Sequence, residues 1–159
     1  MPVAHGTTTG RLRRVTLLTA PFATGALITV IAFLALRDAL PDRMATHFTL
    51  DGTADGFASP STALAQYLLM LAAEAAGVLA AGSSRRSALT TTRALTVLAC
   101  GLAAASTYLF VTGLRAGAHT SGPSADLPVH HHLGPALAVG AVVSGVAWLV
   151  SRPRHRRAR

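Results

Sequence analysis

The sequence predicts an all-α integral membrane protein: four transmembrane helices with a compact extracytoplasmic loop between the first and second. Composition is the first reason, because 159 residues that are 51% hydrophobic and only 13% charged, with a mean hydropathy of +0.47, depart from the balance of a soluble domain. The second is the run length of residues 15–36, 63–82, 94–114 and 133–150, which are apolar and nearly free of charge. At a rise of about 1.5 Å per residue, each meets or approaches the ~20 residues that cross a hydrocarbon core. The third is charge placement. All 14 basic residues are Arg, and 11 of them precede span one, separate spans two and three, or follow span four. Arg37, Arg43 and Arg115 fall on the other side with Asp38, Asp42, Asp51, Asp55 and Asp126. The positive-inside rule then puts both termini in the cytoplasm of a bacterial plasma membrane.

That placement also explains the formal charge of +8. In a soluble chain it would suggest nucleic acid, but here it is a topology signal and the partner is the lipid bilayer. The tail at 151–159 reads as a stop-and-anchor segment. The chain divides into a segment 1–82, comprising helix 15–36, loop 37–62 and helix 63–82, and a second helix pair at 83–159.

Span one has a basic flank like a signal peptide, yet its 22 apolar residues exceed the usual core of about 7–15, so it reads as an uncleaved anchor. Pro21 falls in its first turns, where a missing N–H costs little. Tyr67, Tyr108 and Trp148 are placed as interfacial aromatics. Small residues at four-residue spacing mark expected helix contacts: Ala73, Gly77 and Ala81; Gly101 and Ala105; Ala141 and Gly145. The single cysteine, Cys100, excludes an intrachain disulfide and fills a helix interface.

The loop 37–62 is long enough to expect a function. Leu40, Met44, Phe48, Leu50 and Phe57 need apolar surroundings. Phe48 and Leu50 alternate with His47 and Thr49 and run into Asp51-Gly52, which reads as an extended segment entering a tight turn. Asp55-Gly56 predicts a second turn, and the whole reads as a double-turn cap on the helix ends.

The run Leu40-Pro41-Asp42-Arg43-Met44-Ala45-Thr46-His47-Phe48, continued by Asp51-Gly52, Asp55-Gly56 and Phe57, resembles the signature of the bacterial membrane family called domain of unknown function 1648. The same segment occurs near the amino terminus of Sdp-type membrane immunity proteins, which protect a cell from its own peptide toxin. The resemblance covers about the first 80 residues. It implies a membrane segment whose loop residues Pro41, His47, Phe48, Asp51, Gly52, Asp55, Gly56 and Phe57 form a binding motif. Ala58, Ser59 and Pro60 replace the small and basic residues that usually follow.

Read for chemistry, His47, Asp51 and Asp55 are spaced to converge on a metal if the loop folds back, but aspartates capping turns are the simpler reading. Asp51, Thr53, Asp55 and Gly56 open like a calcium loop, which Thr62 fails to complete where a Glu is required. His119, His130, His131 and His132 are weak candidates for a transition metal and fit an interfacial role better. Glu74, the one ionisable side chain inside a span, is read as helix-packing glue, with Ser106, Thr107, Thr24 and Thr29 as matched partners. No catalytic triad, phosphate loop or zinc-hydrolase motif occurs, and no cofactor is expected. The expectation is a non-enzymatic accessory or regulatory protein, immunity-like, that meets an extracellular peptide or membrane partner through its loop. The alternative is a small ion-coupled permease subunit using Glu74, which needs a homo-oligomer because four short spans enclose little volume.

Overall fold

The computed structural model describes residues 6–49, 53–83, 89–119 and 129–152. Four helices carry the architecture: α1 (Gly6–Leu36), α2 (Pro60–Gly82), α3 (Leu89–His119) and α4 (Val129–Val150). A single 3-10 turn, Arg37–Ala39, leads from α1 into strands β1 (Met44–Phe48) and β2 (Ala54–Ala58). The fold is therefore mostly helical, with a small antiparallel hairpin where an all-α chain with two consecutive turns is expected. Asp55 and Gly56, expected to make the second turn, both lie within β2.

All four helices are long and apolar enough to cross a membrane, with windows of mean hydropathy between 1.6 and 2.1. Their outer faces agree: Leu27, Ile31, Leu69, Leu137 and Val142 are more than half exposed, which only a lipid environment makes favourable. α1 and α3, at 31 residues each, reach about 46 Å and overrun a hydrocarbon core of roughly 30 Å. The extra turns extend α1 back through Arg11, Arg13 and Arg14, so these arginines belong to the helix. Pro21 consequently sits inside α1, where it removes a backbone hydrogen bond, and not in its first turns. α2 starts where the sequence supplies a start signal. Ser59 Oγ accepts a hydrogen bond from the Thr62 amide at 3.3 Å, and Pro60 follows in the first turn.

α3 is central, packing against α1, α2 and α4, and α1 also packs on α2. Leu18, Phe22, Leu71, Val78, Ala99, Ala103 and Phe110 form the main core, each at most 9% exposed. Tyr67 stacks on Phe110 with ring centroids 4.6 Å apart. A Cβ placed at Gly113 would sit 3.1 Å from the Tyr67 hydroxyl. Tyr67 is thus a packing residue of the α2–α3 seam, toward the end of the bundle that carries the hairpin.

The closest helix approach lies between α3 and α4. A Cβ on Gly140 would come within 2.9 Å of the Gly101 carbonyl oxygen, and one on Gly101 within 2.9 Å of the Gly140 carbonyl. Ser144 Oγ crosses the same seam to donate to the Val97 carbonyl at 3.2 Å. The expected Gly101/Ala105 row is used, but on α4 the packed row is Ala136, Gly140 and Ser144. Ala141 and Gly145, together with Ala73, Gly77 and Ala81 on α2, are exposed. Four-residue spacing marks a row on every face of an Ala-rich helix, and only the partner decides which row is used. Gly25 performs the same service for α1, where a Cβ would collide with the Thr107 hydroxyl.

At the end that carries the chain termini, Arg93 of α3 ties down the end of α4. Its Nη2 donates to the Trp148 carbonyl at 2.9 Å and its Nε to Ser151 Oγ at 2.9 Å. Arg152 lies over the Trp148 ring at 3.7 Å. These cations complement the unpaired carbonyls of the helix end.

One substitution at two glycines tests the seam. Gly140→Ala forces a backbone contact apart and is expected to lower stability by about 1–3 kcal/mol. Gly77→Ala, where nothing lies within 4 Å, should be neutral or raise it by up to about 1 kcal/mol through helix propensity. Thermal unfolding in detergent micelles gives both signs, and equal effects would refute the close α3–α4 approach.

Candidate functional site

The hairpin is held to the helices by one side chain. Met44, the first residue of β1, is 2% exposed and packs with Ala63 of α2 and Leu114 of α3, both 0% exposed. Phe33, Leu36, Leu40 and Tyr67 complete this second apolar cluster. Gly117 makes room for it: a Cβ there would be 3.2 Å from Met44 Cε. The expectation that the loop's apolar residues rest on the helix ends is met by Met44 and Leu40. Phe48 and Phe57 stay half-buried, while Leu50, Asp51 and Gly52 lie outside the described residues.

Strand register determines what the hairpin presents. The partners are Met44 with Ala58, Ala45 with Phe57, His47 with Gly56 and Phe48 with Ala54. The pairing skips Thr46 on β1 and Asp55 on β2, so each strand carries one extra residue, and such bulges re-aim the side chains beside them. Asp55 is brought against His47. Its Oδ1 lies 2.5 Å from His47 Nδ1, and the two side chains are 44% and 73% exposed. Gly56 is demanded by close approach and not by a turn: a Cβ there would lie 2.7 Å from the His47 Cβ. The hairpin closes through the Thr49 amide, which donates to the Thr53 carbonyl at 2.9 Å. Arg43 Nη2 reaches the Phe57 carbonyl at 3.4 Å. Pro41, half-buried, precedes the strand.

The other sequence candidates divide differently. Glu74 Oε1 accepts a hydrogen bond from Ser106 Oγ at 2.7 Å across the α2–α3 seam. Thr107 and Thr29 instead turn back on their own helices, donating to the Ala103 and Gly25 carbonyls at 2.6 Å and 2.9 Å. Glu74 Oε2 is buried with no hydrogen-bond partner. His119 lies in the last turn of α3, and His131 and His132 in the first turn of α4, so the histidines expected just before span four are helical. The His130 side chain lies outside the described residues, as does Asp126. Among the described residues no three His, Cys, Asp or Glu side chains converge as a metal site would require.

Two features had no counterpart in the sequence expectations: the close contact that demands Gly56 and the buried, unpartnered Nε and Nη2 of the half-buried Arg14.

The model of the family described as Domain of unknown function (DUF1648) matches residues 24–71, the latter part of α1, the hairpin and the first half of α2. No curated protein and no solved structure matches the chain.

If Met44 is the anchor, Met44→Ala should cost about 2–5 kcal/mol locally. Hydrogen exchange is then expected to accelerate at the amides of β1 and β2 while the midspans of α1 and α2 keep their protection. Unchanged hairpin protection would remove Met44 from this role.

Proposed function

We propose, for a chain whose residues 24–71 carry the DUF1648 domain, that it is a non-enzymatic multi-pass protein of the bacterial plasma membrane. In this reading it acts in an accessory or regulatory capacity of the peptide-toxin-immunity type, through a hairpin presented outside the cell. The observation that carries the reading is the exposed His47–Asp55 pair, 2.5 Å apart on a hairpin pinned to the helices by Met44. An exposed pair of this kind adds little stability, so its value lies in presenting a positioned donor and acceptor to something outside the protein. Phe48 and Phe57, half-buried on the same strands, supply apolar contact beside it. β1 is the strand seated on α2 and α3. The two-stranded sheet offers an open edge for an extended peptide to join by main-chain hydrogen bonds. The outward placement of the hairpin rests on the arginine asymmetry.

A second reading has one observation in its favour. Glu74 keeps one carboxyl oxygen buried and unpartnered, as an acid that takes up and releases a proton or cation along a permeation path would. A path built from four helices then calls for more than one copy of the chain.

Complementation of a deletion strain separates the two. The strain is challenged with peptide toxins and envelope stresses, then supplied with wild type, His47→Ala/Asp55→Ala or Glu74→Gln at matched membrane levels. Loss of protection by the hairpin variant alone is the expected result. Full protection by that variant rejects the recognition role, and failure of Glu74→Gln alone transfers the function to the helix interior.

A further inference from the structure

At the end of the bundle opposite the hairpin, α1 and α2 diverge around a cavity of about 620 Å³ lined by Arg11, Arg14, Leu18, Leu79, Gly82 and Ser83. Arg14 projects from α1 across the end of α2, within 3.8 Å of where a Gly82 Cβ would be. Its Nε and Nη2 are buried and have no hydrogen-bond partner. A guanidinium is always charged and donates through a rigid fork, so donors removed from water without acceptors are a cost that a bound anion relieves.

Among the described residues no acidic side chain serves that end. Among the described residues the carboxylates are Asp38, Asp42 and Asp55 at the hairpin end and Glu74, eight residues before Gly82 on α2. Eight residues are about 12 Å of helix, and Glu74 is engaged with Ser106. None of these described carboxylates partners Arg14, whose Nε and Nη2 stay without an acceptor. The cavity's floor is apolar, with Leu18 only 1% exposed, and its rim is basic at the helix end where the headgroup layer of a bilayer begins. A phosphate attached to acyl chains satisfies both parts at once, whereas a free phosphate satisfies only the rim. Basic pockets between transmembrane helices hold anionic headgroups in this way.

We propose that the Arg11/Arg14 cavity between α1 and α2 is a binding site for the headgroup phosphate of an anionic phospholipid. Arg14 supplies the directed donors, Arg11 adds charge at the mouth, and Gly82 leaves room for Leu18 at the apolar floor, where a Cβ would lie 2.9 Å from Leu18 Cδ1.

The test uses the full chain in dodecyl maltoside micelles, with thermal unfolding followed as dioleoylphosphatidylglycerol is titrated in. The expected result is a saturable rise in Tm that dioleoylphosphatidylcholine does not reproduce. Arg14→Gln should weaken half-saturation roughly tenfold, the loss of one charge-assisted contact. Arg14→Lys, which keeps the charge, should retain an intermediate response and controls for a folding defect in the Gln variant. Arg152→Gln, altering an exposed arginine at the same end of the bundle, should respond as wild type does. An equal rise with phosphatidylcholine, an unchanged titration in Arg14→Gln, or an equal loss in Arg152→Gln would each overturn the site. Inorganic phosphate reproducing the full shift would overturn the lipid assignment in favour of a soluble anion.

Discussion

Close approach of three helices to a fourth is the constraint on which everything else in this protein depends. Between helices in lipid there is no gain from removing apolar surface from water, so association rests on van der Waals contact and on hydrogen bonds across the seams. Both fall off steeply with distance. Gly25 lets α1 reach α3, and Gly101 with Gly140 lets α4 reach it. Once those backbones are close, polar side chains can bridge: Ser144 to the Val97 carbonyl and Ser106 to Glu74. The hairpin depends on the same geometry, because Met44 fills a space that exists only when the ends of α1, α2 and α3 are held together.

The two ends of this bundle do different chemical work. At the end opposite the hairpin, Arg93 caps α4 and Arg152 covers Trp148, while Arg14, half-buried beside Gly82, keeps two donors without a partner. At the other end the basic and acidic groups are mixed and largely exposed, as in the Arg37–Asp38 pair at 3.2 Å. Surface pairs of that kind contribute little to stability.

Buried polar atoms without partners are informative because proteins rarely tolerate them. Among the described residues such side-chain atoms belong to Glu74 and Arg14 alone. One is an acid within a helix seam and the other a base at a helix end, and α2 separates them along its length. Each marks a place where the described side chains leave a buried polar atom unmatched.

Hydropathy and arginine placement by themselves determined the four helices, their order and the segment between the first two that carries the family motif, because burial in lipid imposes one rule on every residue of a span. Counting residues for depth placed Ser106, Thr107, Thr24 and Thr29 level with Glu74, and the structure selects Ser106 among them. Helix ends were less legible: polar turns such as those holding Arg11 and His119 continue a helix beyond the hydrocarbon layer with no hydropathy signal. Tertiary structure alone decided which small-residue row of α4 faces α3, because several rows have the same spacing and only the partner's shape distinguishes them. It also decided that Asp55 meets His47. That contact depends on two bulges in a strand register, and register is set by Met44 finding its seat, a long-range event that the local sequence does not encode.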